Sequence, residues 1–301
     1  MSGRVVLLAM LASALSAGGQ TLYERASDRY DVDMHFYLDS VGQPGSRGVA
    51  LRLPGTLNGR RATFTLDTGA SVSVVSPRLL DRYGLHPTAD STLVEGTDTV
   101  VARRVVADSI ELGNLTLRHV PFVVADAATG DDAYDRYLDH LQLIIGRPLL
   151  DVLGKTTVDF RSHTLTAPRR PKRRQKRTRR SNLAVVDNVL LVTASDTLQL
   201  IPDFGATHSS LDSAYFSRQS AAIVAQATPD TVNYVGIGGV VTAIEYILNN
   251  FPLTIDRKRL TAPQVTVHAT GGYESRLGLD FFTRQSRVVF DLRRWRLTVE
   301  P

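Results

Sequence analysis

Cysteine is absent from the 301-residue sequence. Its absence excludes disulfide bonds, thiolate nucleophiles, zinc sites with Cys ligands and an acylated-cysteine anchor. The stability of the fold must therefore come from packing alone. Of the settings outside the cytoplasm, a cysteine-free chain fits a bacterial periplasm or cell surface better than a disulfide-rich animal secretion.

A run of apolar residues long enough to span a membrane is also missing at the N-terminus. Arg4 precedes a short apolar run at residues 5–11, and small residues follow at 13–19. A spanning helix needs roughly 20 apolar residues, so this pattern predicts a cleaved secretory signal over residues 1–18. We expect an exported protein, periplasmic or secreted, with no stable membrane insertion after cleavage. An uncleaved anchor is the alternative.

Basic residues are unevenly distributed. Nine of the 35 Lys and Arg residues lie between 169 and 180, and because the formal net charge is +5, the rest of the chain carries −4. Like charges repel and cannot be buried, so we interpret residues 169–181 as a solvated linker. A surface that binds an anionic polymer or lipid, and a processing site, are the alternatives. No aromatic residues interleave the run, so no nucleic-acid partner is expected.

The remaining sequence alternates apolar and polar residues in short runs separated by turn residues, which predicts a mostly β fold. The clearest predicted strands are residues 48–53, 61–66, 99–106 and 120–124, with a hairpin turn at 57–59. Helical periodicity is scarce, and its best candidates are residues 77–83 and 148–153.

Two stretches before the basic run recur after it. LDTGAS at residues 66–71 corresponds to PDFGAT at 202–207, and LIIGRPLL at 143–150 corresponds to SRLGLDFF at 275–282. From the glycine of the second stretch, an Asp follows after the same thirteen residues in both copies. Internal repetition of this kind predicts two similar β lobes, residues 19–168 and 182–301.

Asp67 and Asp203 occupy equivalent positions in these copies, each at the end of an apolar strand and before a tight turn. Two carboxyl groups close enough to share one proton have separated titrations, so one acts as general base while the other acts as general acid. A water molecule held between them becomes the nucleophile.

The order of an apolar strand, Asp-Thr-Gly-Ala, a glycine-bearing hairpin and a later Ile-Ile-Gly resembles the retropepsin and pepsin superfamily of aspartic proteases. The resemblance implies two acid-protease β-barrel lobes with a cleft between them, peptide or protein as substrate, and no metal or cofactor. It implies flap glycines at Gly96, Gly236 and Gly238. Residues implied to support the catalytic turns are Thr68, Gly69, Ala70, Gly146, Gly205, Ala206 and Gly278.

The second copy departs from the family pattern at Pro202 and Phe204. A Thr at position 204 would cross-link the two turns, and Phe cannot. Two further hypotheses follow: a peptide-binding module without activity, and a homodimer that uses only Asp67. If Asp203 is active, a monomer suffices. Ala70 and Ala206 lack the hydroxyl found in pepsin, so one hydrogen bond to each ionised carboxylate is expected to be missing, which favours a mildly acidic or neutral pH optimum.

Overall fold

The computed structural model describes residues 4–6, 13–14, 23–26, 30–41, 48–95, 99–125, 140–169, 176, 178, 181–195, 197–236, 239–268 and 274–301. The fold is mostly β, as the sequence predicted. Strands β1 to β12 span Arg4–Val6, Ser13–Ala14, Glu24–Arg25, Val32–His35, Tyr37–Val41, Gly48–Leu57, Arg60–Asp67, Ser73–Val75, Ser91–Glu95, Thr99–Leu112, Leu115–Val124 and Leu143–Gly146. Strands β13 to β24 span Lys155–Asp159, Thr164–Ala167, Leu183–Val186, Val189–Ala194, Leu198–Pro202, Ser209–Leu211, Thr228–Gly236, Gly239–Ile255, Lys258–Val267, Arg276–Leu277, Arg287–Asp291 and Arg296–Glu300.

The helices of the described residues are one or two turns long. A 3-10 helix at Pro77–Leu79 leads into α1 at Leu80–Tyr83, and the others are α2 at Pro148–Leu153, α3 at Ser213–Phe216, α4 at Ala221–Val224 and α5 at Leu279–Phe282. The two helices expected from the sequence are confirmed at α1 and α2. None of the helices in the described ranges has the length and apolar character needed to cross a membrane.

Two large sheets repeat one strand order, which confirms the two β lobes. In the first lobe the order is β2-β9-β10-β11-β8-β12-β7-β6-β5, with β3 also paired to β11. In the second lobe it is β1-β19-β20-β21-β18-β22-β17-β16-β15. Apart from the first strand of each list, every strand has its equivalent at the same place in the other sheet. The duplication seen in the sequence is therefore also a duplication of topology.

A third sheet joins the two lobes. Its order is β24-β23-β13-β14-β4, so the strand that follows α2 in the first lobe pairs directly with the strand that follows α5 in the second. These two strands, β13 and β23, are antiparallel. Lys155 pairs with Asp291 at one end, and Asp159 pairs with Arg287 at the other. The repeated stretches that contain Gly146 and Gly278 lead into α2 and α5 and then into these strands, so this sheet fixes one lobe against the other.

Turn chemistry explains the hairpins. Asn58 and Gly59 connect β6 to β7, and both have positive φ, at 49° and 74°. This combination is the type I′ turn whose twist matches that of the flanking strands. The predicted turn at residues 57–59 is confirmed.

The predicted flaps fall on the β9–β10 hairpin and the β19–β20 hairpin. Gly236 ends β19 and pairs with Gly239, whereas Gly96 and Gly238 lie outside the described residues. Two short N-terminal strands lie along the same hairpins. Strand β1 pairs in parallel with β19, and β2 pairs antiparallel with β9. Most of the basic run lies outside the described residues, which include only 169, 176, 178 and 181 of it.

Candidate active site

Asp67 and Asp203 lie at equivalent strand ends in the two lobes. Asp67 is the last residue of β7, which pairs in parallel with β12 so that Gly146 lies opposite Asp67. Asp203 follows β17, which pairs in parallel with β22 so that Leu277 lies opposite Pro202. Both aspartates are completely buried. The parallel pairing places each carboxyl on the turn that leaves its strand.

The two turns face each other across the lobe boundary. A Cβ added to Gly69 would lie 2.6 Å from Cγ of Asp203, and one added to Gly205 would lie 2.3 Å from Cγ of Asp67. Any side chain at either position would overlap the carboxyl group of the opposite lobe. Each glycine is therefore required by the close approach of the two aspartates, and the structure brings both predicted carboxyl groups together within one chain.

Backbone donors hold the inner oxygen of each carboxyl group. Oδ1 of Asp67 accepts hydrogen bonds from the N–H groups of Gly69 at 2.9 Å and Ala70 at 2.8 Å. Oδ1 of Asp203 accepts the equivalent bonds from Gly205 at 2.9 Å and Ala206 at 3.1 Å. The two turns are thus built alike at their inner oxygens.

The outer oxygens differ between the lobes. Oδ2 of Asp203 accepts a hydrogen bond from Nη1 of Arg276 at 3.2 Å, and both side chains are buried. Oδ2 of Asp67 is buried and has no hydrogen-bond donor among the described residues. The donor expected to be missing at both carboxylates is therefore missing only at Asp67, because Arg276 supplies one at Asp203.

The same asymmetry appears in the titration of the pair. Burial raises the pKa of Asp67 well above its usual value, and the neighbouring charge of Asp203 raises it further. Burial also raises the pKa of Asp203, but the guanidinium of Arg276 opposes this effect. The guanidinium contacts Oδ2 of Asp203, whereas Oδ2 of Asp67 has no donor among the described residues, and this difference favours ionised Asp203 and protonated Asp67. The pair therefore holds one proton over a range of pH.

Thr68 cross-links the two turns from the first lobe alone. Its hydroxyl donates to the carbonyl oxygen of Pro202 at 2.5 Å and accepts from the N–H of Phe204 at 2.9 Å. The ring of Phe204 packs edge-on against three other rings, with centroid distances of 5.9 Å, 4.9 Å and 5.5 Å, from Phe160, Phe282 and Phe290. The second lobe contributes an aromatic contact where a second hydroxyl was expected.

Gly146 and Gly278 support the two turns from behind. A Cβ on Gly146 would lie 2.8 Å from the carbonyl oxygen of Ala70, and one on Gly278 would lie 2.9 Å from that of Ala206. The next residue in each lobe donates its N–H to the same carbonyl oxygen at 2.8 Å. The second motif of each repeat thus packs directly on the turn of the first motif.

Two serines that the sequence analysis did not single out complete this support. Ser73 Oγ accepts the N–H of Gly146 at 2.9 Å, and Ser209 Oγ accepts the N–H of Gly278 at 3.0 Å. Ser209 then donates to Oδ1 of Asp280 at 2.9 Å. Alignment of the two repeats could have identified both serines, because each lies six residues after its aspartate.

The carboxyl group of Asp280, which accepts the hydrogen bond from Ser209, titrates at an unusual pH. Burial raises the pKa of Asp280 from its usual value to about 6, since its Oδ2 is buried without a partner among the described residues. A raised pKa in the folded state means that ionisation opposes folding, so this contribution to stability is complete below about pH 4 and lost as pH rises through about 6.

We expect Asp280→Asn to increase the free energy of unfolding at pH 7.5 by about 2–3 kcal/mol and to change it little at pH 4. Asparagine keeps an oxygen acceptor for Ser209 and removes the buried charge. Urea unfolding at pH 4, 6 and 7.5 measures this difference, with Asp187→Asn in an exposed turn as the control for lost charge. A gain of equal size at every pH would contradict the prediction.

Comparisons with known protein families match part of the first lobe. A family model described as aspartyl protease matches residues 53–149, which include Asp67 and Gly146. One matching solved structure is a retropepsin-like aspartic protease from Rickettsia conorii, with 16% sequence identity, coverage of 49% of this chain and 95% of that chain, and a TM-score of 0.28. No curated protein matches the chain. The predicted resemblance to the aspartyl protease family is confirmed over residues 53–149.

Proposed function

Taking the aspartyl protease match of the first lobe as the premise, we propose that this chain is an aspartic endopeptidase. Asp67 and Asp203, one from each lobe, activate a water molecule that hydrolyses a peptide bond. The observation that carries the proposal is the face-to-face approach of two equivalent turns, in which the glycine of each turn leaves room only for the carboxyl group of the other. No structural role requires two buried carboxyl groups to be held against each other, since like charges at this distance oppose folding.

The chemistry follows from the shared proton. The ionised carboxylate takes a proton from water as the oxygen of the water attacks the carbonyl carbon. The protonated carboxyl group donates to the carbonyl oxygen, where negative charge develops. Return of a proton to the nitrogen then breaks the carbon–nitrogen bond, and no covalent intermediate with the enzyme forms.

The substrate class is inferred from the sheet edges of two hairpins. The β9–β10 and β19–β20 hairpins already pair with the short strands β2 and β1, so each hairpin has an edge that accepts an extended segment. An extended peptide can add to such an edge through its backbone. Because both aspartates are completely buried, a peptide reaches them only after part of the chain moves.

One chain is sufficient for the proposed site, since both carboxyl groups come from it. We therefore propose a monomeric enzyme that acts on peptides or proteins. Export to the periplasm or the medium, proposed from the N-terminal sequence pattern, would bring the enzyme to substrates outside the cytoplasm.

Hydrolysis of a mixed peptide library by the protein lacking residues 1–18, between pH 3 and pH 8, tests the proposal. Cleavage products identified by mass spectrometry and absent with Asp67→Asn are the expected result, because the variant excludes a contaminating protease. No cleavage at any pH would overturn the proposal and favour a module that binds peptide without cutting it.

A further inference from the structure

One group of buried residues in the second lobe is polar where the equivalent group in the first lobe is apolar. The strand pairing shows which residues of the two lobes are equivalent. In the first lobe Val74 pairs with both Val123 and Ile144. In the second lobe Ser210 pairs with both Thr266 and Arg276. The buried apolar residues are Val74, Ala102, Val123, Ala125 and Ile144, and their equivalents, also buried, are Ser210, Glu245, Thr266, His268 and Arg276.

Arg276 is the member of this polar set that touches the dyad. It stands in strand β22 where the first lobe has Ile144, and its side chain is only 4% exposed. Its Nη1 lies 3.2 Å from Oδ2 of Asp203. A buried guanidinium is costly without a partner, and here the partner is one of the two proposed catalytic carboxylates.

We infer that Arg276 is a positioning residue that holds the negative charge of the dyad on Asp203, so that Asp67 carries the shared proton. This inference rests on the proposed peptidase function and assigns the two roles within it. Asp203 takes the proton from water, and Asp67 donates to the carbonyl oxygen of the peptide. The roles are fixed by the protein rather than by the orientation of the substrate.

Four other titratable groups of the second lobe lie in and around this polar set. His268 follows β21, and burial, together with the charge of Arg276, lowers its pKa to about 4, so it is neutral at higher pH. Its Nδ1 lies 3.1 Å from the hydroxyl of Tyr234 on β19 and 3.4 Å from Oε1 of Glu245 on β20. Asp212, after β18, acts on His268 and favours its protonated form.

The pH profile of hydrolysis separates this role from a structural one. The charge of Arg276 favours the ionised form of both carboxyl groups, so removing it raises both macroscopic pKa values of the dyad. Activity needs one proton on the pair, and therefore both limbs of the bell-shaped profile move to higher pH. An opposite charge in direct contact shifts a carboxyl titration by about one pH unit or more.

The kinetic test compares kcat/KM between pH 3 and pH 9 for the wild type, Arg276→Ile, Arg276→Gln and Arg276→Lys, on a peptide that the wild type cleaves. Isoleucine is the residue at the equivalent position of the first lobe, Ile144. Glutamine keeps a hydrogen-bond donor without the charge, and lysine keeps the charge. We expect both neutral variants to move both limbs upward by about one unit or more, and lysine to keep them near the wild-type positions. Unchanged limbs in the neutral variants would overturn the inference.

Carboxyl titration of the wild type gives a second test that needs neither hydrolysis nor a folded Arg276 variant. The protein is labelled with ¹³C at the Asp carboxyl carbons, and spectra of Asp67→Asn and Asp203→Asn assign the two signals. As pH falls, we expect Asp67 to take up its proton first and Asp203 last. The reverse order would overturn the inference even if the protein cleaves peptides. If the expected order is found in a protein that cleaves no peptide, the inferred location of the charge is supported, and only the proposed catalytic roles are overturned.

Discussion

Asp67→Asn and Asp203→Asn are each expected to lower kcat/KM for peptide hydrolysis by about 10²–10⁴-fold, the range for loss of one acid–base partner. The amide keeps the shape of the carboxyl group but can neither share a proton nor take one from water. Because the two carboxyl groups act as one unit, the double variant is expected to be no worse than the single variants. Initial rates on one fluorogenic peptide at the optimum pH measure all three.

Asp187→Asn is the control for this comparison. Asp187 is exposed in the β15–β16 turn with a φ of 46°, a conformation that asparagine also tolerates. We expect its rate to equal that of the wild type. Losses that differ widely between Asp67→Asn and Asp203→Asn would contradict a dyad that works as a pair.

Phe204→Ala is expected to lower the free energy of unfolding by about 3–5 kcal/mol, the usual cost of truncating a fully buried phenylalanine. Its ring is completely buried and meets Phe160, Phe282 and Phe290 edge-on at the boundary between the lobes. The N–H that bonds to Thr68 belongs to the backbone, so the turn can keep its geometry. Urea unfolding monitored by circular dichroism measures the change.

Two further variants, Phe204→Thr and Phe216→Ala, test whether the lost stability comes from the aromatic contacts of Phe204. Threonine supplies the second hydroxyl of the family pattern but removes the ring, so we expect a loss of stability close to that of alanine and no gain in activity. Phe216 is only partly buried at the edge of the core, and we expect its truncation to cost less than half as much. A threonine variant as stable as the wild type would contradict the role given to the aromatic contacts.

Much of the site follows from the sequence because its determinants are local. Asp67, Gly69 and Gly146 belong to short motifs in which each position requires one type of residue. Repetition of these motifs identified Asp203 and Gly278. The glycines are fixed by steric necessity, since each added Cβ would overlap a carboxyl group or a carbonyl oxygen. The type I′ turn at Asn58 and Gly59 is equally local.

Contacts between distant parts of the chain could not be predicted in this way. The sequence showed that Phe204 lacks a hydroxyl, but only the folded chain shows which rings surround it. The sheet that joins the lobes pairs β13 with β23 and β14 with β4, and no local pattern specifies those partners. Helices α3 and α4 are single turns, too short to leave a periodic signal.

Arg276 was missed for a different reason. The repeat alignment placed it opposite Ile144, where a charge in an apolar strand is unexpected. Such a residue can be read as a surface position until its burial is known. A charged residue in one copy of a repeat, at a place where the other copy is apolar, is therefore worth testing as a functional residue.

Specific activity measured over a dilution series of the wild type and of Asp203→Asn tests most directly whether one chain holds the complete dyad. The account predicts that the specific activity of the wild type is the same at every protein concentration and that Asp203→Asn stays lower by about 10²-fold or more throughout. Activity of Asp203→Asn that rises with protein concentration would contradict the account, because it would show that two first lobes meet to form the site.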